Sequence, residues 1–239
     1  MTQHSQNVGT SQNYFELQSS IHYFFKNPSL LATALIHRSY AHSEDSDKSV
    51  SNERLEFLGD AVLNLVVSEH LYRVFPTKQE GELTQIKSLI VSRPVIAEKA
   101  RELQLGRYLM LSPGEEQTGG RSRISILSDG FEALLGAMYL DGGKKVATDF
   151  LRNHLLHDIN RIISDEEYSN YKSLLLEYCQ GIGKGQPIYT VSHETGPDHE
   201  KEFTVVVQIE GKIQGSGVGR NKREAEQRAA KEAFEKIQE

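Results

Sequence analysis

Three acids fall close together in the stretch NERLEFLGDAVL, which runs from Asn52 to Leu63: Glu53, Glu56 and Asp60. At 100° per residue they lie within about 60° of one another, so a helix here carries them as one stripe. Such a stripe is ordinarily a solvated face. Here Leu63 and Val67 continue it, while Leu55, Leu58, Val62 and Leu65 fill the opposite side, so past Asp60 the helix is apolar almost all round. Carboxylates gathered in a partly dehydrated place repel, and at least one must take up a proton or find a cation. A second pair, Asp129 and Glu132, stands three residues apart at the head of SDGFEALLGAMYLDGG, again among apolar residues. Two helical acid clusters can converge on one hard divalent cation, because carboxylate oxygens suit Mg²⁺ or Mn²⁺. Spacing leaves that convergence open, and Asp129 alone also reads as a helix cap or first-turn acid.

The elements that would position these acids follow from periodicity. From about Tyr14 to Ile163, apolar residues recur at spacings of three and four in LLATALIHRSYAH, RLEFLGDAVLNLVVSEHLYRVF, GELTQIKSLIVSRPVIAEKARELQL and GFEALLGAMYLDGG. Breaks are expected at Pro76, Pro113-Gly114, Gly119-Gly120 and Gly142-Gly143. An all-helical domain over 14–163 is the result. After the acidic run SDEEYSN, taken as a linker over 164–169, the pattern changes. YKSLLLEYCQGIG is helical, IYTVSHETG, KEFTVVVQIEG and KIQGSGVGR are strand-like, and KREAEQRAAKEAFEKIQ is an alanine-rich helix. Residues 170–239 therefore make an α+β domain in the order α-β-β-β-α.

No window approaches the roughly 18 uncharged apolar residues of a membrane span, so no membrane partner is expected. The opening MTQHSQNVGTSQNYF is polar and unlike a secretory signal, and residues 1–13 are expected to be a flexible tail. Cys179 is the single cysteine, which excludes an internal disulfide and a cysteine-based zinc site and fits a cytoplasmic protein. The net charge of −6 argues against a nucleic-acid partner unless a local surface is basic. One is: Lys212 to Lys231 holds six basic residues against two acids. Within it Lys222 and Arg223 open the last helix, where the dipole disfavours cations but a phosphate would reverse the sign. An ordinary pair of exposed basic residues is the plainer reading of those two.

NERLEFLGDAVL resembles the family motif of ribonuclease III, the double-stranded-RNA endonucleases. HRSYAH at 37–42, GELTQIKSLIVS at 81–92 and SDGFEALLGAMYLDGG at 128–143 carry the same likeness, and the order matches the bacterial form, one nuclease domain followed by one double-stranded-RNA-binding domain. The resemblance implies that Glu56, Asp60, Asp129 and Glu132 form the catalytic acidic cluster, which hydrolyses phosphodiesters with Mg²⁺, or Mn²⁺ in its place. Glu56 and Glu132 would be direct metal ligands, Asp129 would ligate or orient, and Asp60 would position the attacking water. Glu53 would be structural, paired with a basic residue such as Arg38. Glu80 resembles a further acid near the cleavage centre, although a loop glutamate is usually only solvated.

The family acts as a homodimer in which each subunit cuts one strand, leaving 5′-phosphates and short 3′ overhangs, with ribosomal RNA precursors among its substrates. Phe57 resembles the aromatic that enters the partner subunit, and a buried core phenylalanine is the alternative. In the second domain, GSGVGRNKREAEQRAAKEAF looks like the family's RNA-binding helix and the strand before it, which implies Lys222 and Arg223 on phosphates across the major groove, with Glu177 and the loop around His199 in the adjacent minor grooves. An acid, Glu226, stands where a third basic residue is common, which lowers the expected phosphate affinity. Three rivals remain: a non-cleaving dsRNA-binding protein, a helical di-metal oxidase, and a structural or ribosome-associated protein. The intact acids argue against the first and leave the third without a use for them; the absence of Glu-x-x-His pairs argues against the second.

Overall fold

The computed structural model describes residues 7–43, 50–164, 171–197 and 201–238. They divide into two compact units, Met1–Ser164 and Asp165–Glu239. The run expected to be a linker and His199 lie largely or wholly outside the described residues.

The first unit is helical: α1 (Asn7–Ser20), α2 (Pro28–Ala34), α3 (Arg38–Ser43), α4 (Glu53–Val74), α5 (Glu80–Ile90), α6 (Arg93–Glu102), α7 (Pro113–Gln117), α8 (Ile124–His154) and α9 (Ile159–Ser164), with short 3-10 turns between some of them. The expected breaks have physical causes. Helix α4 stops before Pro76, Pro113 opens α7 behind a Ser112 cap, Gly119 adopts φ 78°, and Gly143 (φ 78°, ψ −175°) interrupts α8. Helix α1 begins at Asn7, inside the expected tail. Its NVGTSQN start has no 3.6-residue apolar period to announce it.

Helices α4 and α8 form the centre. Leu63, Val66 and Val67 of α4, Phe131, Leu134 and Met138 of α8, and Ile96 and Ala100 of α6 are all buried. Helix α6 is also anchored electrostatically. Lys99, 1% exposed, donates to Asp158 at 2.6 Å and to Glu102 at 2.9 Å, and Arg161 of α9 reaches Asp158 and Glu98 at 3.2 Å each. A lysine this deep is tolerable only because carboxylates meet its ammonium.

The second unit runs α10 (Tyr171–Gly181), β1 (Ile188–Thr195), β2 (Glu202–Ile209), β3 (Lys212–Gly219) and α11 (Lys222–Gln238), with an antiparallel sheet in the order β1-β2-β3. Leu175 and Cys179 of α10, Val205 and Val207 of β2, and Ala225, Ala229 and Ala233 of α11 make its core. The alternating glycines of GSGVG explain how closely α11 lies on β3. A Cβ on Gly217 would stand 2.3 Å from the Ala225 carbonyl oxygen, and one on Gly215 would stand 2.5 Å from that of Ala229.

Candidate active site and nucleic-acid interface

The acids are brought together by a helix crossing. Where α4 meets α8, a Cβ on Gly59 would lie 1.7 Å from the Glu132 carbonyl oxygen, and one on Gly136 would lie 2.3 Å from that of Leu55. Only glycines allow backbones this close. Glu56 precedes Gly59 by one turn and Glu132 precedes Gly136 by one turn, so the contact carries one acid from each helix to the same place. Asp129, a turn earlier on α8, completes the group: one carboxylate oxygen from each of Glu56, Asp129 and Glu132 lies within 4.8 Å of the others, all three half-buried.

The electrostatics of this trio call for a cation. Burial first, then the charges of Asp60, Asp129 and Glu56, push the Glu132 carboxyl up to about 8, while Arg93 pulls the other way. Glu56 is raised by burial and then by Asp129 and Glu53, with Arg93 and Arg38 opposing. The trio fits a divalent ion by donor chemistry, since carboxylate oxygens are the ligands that a hard cation such as Mg²⁺ takes.

The other expected residues fall around this group. Asp60 is exposed and outside the trio, and its Oδ1 accepts from Asn64 Nδ2 at 2.9 Å. Glu53 is exposed, 4.0 Å from Arg38 Nη1, and accepts from Ser51 Oγ at 2.9 Å. Glu53 and Asp60 are thus wetter than the apolar pattern suggests, and elsewhere on α4 the described residues leave Leu65 53% and Phe57 80% exposed. This corrects the core reading of Phe57. Beside it is a groove of about 750 Å³ lined by Leu30, Val50, Leu55, Leu58 and Leu140. Glu80 opens α5, exposed, and accepts from Thr84 Oγ1 at 2.9 Å.

Sequence reasoning passed over two features. The glycines of the crossing were visible only as Gly59 and Gly136 inside otherwise helical runs, a signal of close packing. Arg93, at the first position of α6, places Nη2 3.6 Å from Asp129 Oδ1. Its only signal was a lone basic residue at a helix start.

In the second unit Lys222 and Arg223 are exposed at the start of α11. Asn221 Oδ1 accepts from Glu224 N, and Glu224 Oε2 accepts from Arg220 N, both at 2.9 Å, so the turn carrying the pair is held from both sides. Lys222 Nζ lies 5.6 Å from the centre of the Phe203 ring. Glu177 is exposed on α10. Glu226 does not stand as a bare negative charge, because Lys172 Nζ meets its Oε2 at 2.5 Å while lying 4.6 Å from the Tyr189 ring centre. That pair ties α10 to α11.

Residues 27–159 match the family model described as ribonuclease-III-like. The chain belongs to the ribonuclease III family. Residues 171–237 match the double-stranded RNA binding motif, so nuclease-type and RNA-binding domains follow each other as in the bacterial members of ribonuclease III. Ribonuclease 3 of Desulforamulus reducens is 46% identical over 222 residues, 93% of this chain and 90% of that one. Ribonuclease 3 of Fusobacterium nucleatum is 43% identical over 220 residues, covering 92% and 94%. Among solved structures, the nuclease domain of ribonuclease III from Campylobacter jejuni is 38% identical with a TM-score of 0.55, covering 67% of this chain and 98% of that one. A second structure of that domain, described for flexibility in a region involved in dimer formation, is 41% identical with a TM-score of 0.54, covering 58% and 92%. No helix among the described residues is long and apolar enough to cross a membrane.

Proposed function

We propose that this protein is a metal-dependent, double-strand-specific endoribonuclease of the cytoplasm, processing ribosomal RNA precursors and other structured transcripts and leaving 5′-phosphates and short 3′ overhangs. The observation that carries the reading is the convergence of Glu56, Asp129 and Glu132 in a chain that also has a double-stranded RNA binding motif.

Glu56, Asp129 and Glu132 would hold the ion. Bound Mg²⁺, or Mn²⁺ in its place, supplies a lowered water pKa and offsets charge on the phosphate and the leaving oxygen. Asp60, solvent-facing on the same stripe, orients the attacking water. Lys222 and Arg223 take phosphates across the major groove, with Glu177 and His199 on the adjacent minor grooves. Because the described residues of a chain hold one such trio, cutting both strands together takes a homodimer. Phe57, exposed beside an apolar groove, supports a contact in which each subunit's ring enters the other's groove.

The test is incubation with long duplex RNA in Mg²⁺, with EDTA and Glu132→Gln as controls, resolved on a denaturing gel. Cleavage by the parent alone in Mg²⁺ is expected. Duplex that is bound but survives in Mg²⁺ would leave a non-cleaving dsRNA-binding protein, and a Glu132→Gln variant as fast as the parent would overturn the site assignment.

A further inference from the structure

A guanidinium from α6 stands against the acidic trio. Arg93 Nη2 stands 3.6 Å from Asp129 Oδ1, and Asp129 shares its place with Glu56 and Glu132. The separation is too long for a hydrogen bond, and the Arg93 side chain is 65% exposed against 22% for Asp129. The guanidinium thus leans over the rim of the site from solvent and can leave without breaking any directed bond to Asp129. Its base is fixed, because it is the first residue of α6, and α6 is anchored at its other end by buried Lys99.

Arg93 and a divalent ion would compete for the same carboxylates. A metal held by Glu56, Asp129 and Glu132 repels a guanidinium at this distance and removes its reason to lie over Asp129. The displaced cation then stands at the lip of the site, at the positive end of a helix, where an anion is the only favourable neighbour. A phosphodiester entering a metal-loaded site is such an anion, and a guanidinium is suited to bind it.

From this geometry we propose that Arg93 is an exchangeable counter-ion: it occupies the acidic trio until metal displaces it, and it then binds a phosphate of the substrate strand, making it a positioning residue for cleavage. The inference rests on the metal site proposed above.

The experiment titrates Mn²⁺ into the full chain without RNA, by calorimetry, for the parent, Arg93→Gln and Arg93→Lys. It then measures KM and kcat on a short duplex at saturating Mn²⁺. Losing the competing charge should tighten Mn²⁺ binding by roughly three- to tenfold in Arg93→Gln, with Arg93→Lys close to the parent. KM should rise by roughly fivefold in Arg93→Gln, more than kcat falls, and Arg93→Lys should recover part of it. A merely structural role for Arg93 would not tighten Mn²⁺ binding. Equal Mn²⁺ affinity in parent and Arg93→Gln overturns the counter-ion, and an unchanged KM overturns the phosphate contact. A parent that binds no Mn²⁺ overturns the metal site itself and this inference with it.

Discussion

Gly59 and Gly136 face each other where α4 crosses α8, and each would drive a side chain into the other helix's backbone. The acids of the site are one helical turn away on either side, so the approach of two backbones sets the distance between two carboxylates. Most of the site's geometry is therefore held by residues with no chemistry of their own.

Gly59→Ala tests this directly. A methyl group 1.7 Å from the Glu132 carbonyl oxygen cannot be accommodated unless the helices part. Overpacking of this kind costs roughly 2–3 kcal/mol, partly offset by alanine's better helix propensity of about 1 kcal/mol. Cleavage should suffer more than stability, by roughly a hundredfold, because a displacement of about 1 Å at a reacting centre has that effect. Urea denaturation and initial rates on one duplex check both, and a variant within twofold of the parent in rate would show that the crossing does not position the acids.

What could be read in advance follows from which signals are local. Both domains were legible because 3.6-residue and two-residue periods are properties of short windows, and the acids stood out because charge is rare in apolar helices. Convergence of Glu56 with Asp129 and Glu132 was not legible by spacing alone, since it depends on a crossing between segments some seventy residues apart. Phe57 could not be resolved because an aromatic that waits for a partner and one that fills a core have the same sequence signature. The structure removes the core reading by leaving Phe57 in solvent. Glu226 looked like a loss of basic charge until Lys172, from a different helix, was found against it.

Phe57→Ala should weaken self-association. An aromatic seated in an apolar groove is the usual energetic centre of an interface, and removing it costs about 2 kcal/mol or more, roughly thirtyfold in the dimer dissociation constant. Sedimentation equilibrium across a concentration series reads this, and cleavage at low protein concentration should fall in step. Association as tight as the parent's would take Phe57 out of the interface.

Lys222→Ala together with Arg223→Ala should weaken duplex binding uniformly across sequences and flatten its salt dependence. Each lost phosphate contact removes about one from the slope of log affinity against log salt, so the pair should lower it by roughly two. Both side chains are exposed, so the melting temperature should not move. Fluorescence anisotropy at several salt concentrations gives the slope, and a slope equal to the parent's would place the phosphate contacts elsewhere.

His154 predicts an acid-side weakness of the first domain. Its ring packs 4.9 Å from Phe150 and stacks at 6.3 Å on His22, and its buried Nε2 has no hydrogen-bond partner among the described residues. Burial first, then the charges of His22, His157 and Lys99, lower it from 6.5 to about 4. The folded value lies below the unfolded one, so above 6.5 the ring is neutral in both states and contributes no pH dependence. Between 6.5 and about 4 the unfolded chain binds a proton that the folded one refuses, and stability falls as the pH drops. One proton sets a ceiling of about 1.4 kcal/mol per pH unit, reduced here because the ring is only partly buried. In His154→Phe, urea midpoints measured between pH 7 and 4.5 should vary less than in the parent. Parallel curves would clear His154 as the cause.

Glu132→Gln should abolish cleavage while leaving the metal-free protein at least as stable as the parent. Glu132 is the most perturbed member of the trio, raised by its own burial and by three neighbouring carboxylates, so an uncharged isostere removes repulsion without removing volume. The cost appears only when metal is added. In the parent, Mg²⁺ at about a hundred times its dissociation constant should stabilise the fold by about 2.7 kcal/mol, or roughly 5–10 °C in the first domain's melting transition. Without Glu132 that increment should shrink to within about 2 °C. Differential scanning calorimetry in EDTA and in Mg²⁺ gives all four numbers. A variant that melts several degrees below the parent in EDTA would mean that Glu132 holds the fold together and is no strained metal ligand. A variant that keeps the full Mg²⁺ increment would mean that the ion binds elsewhere.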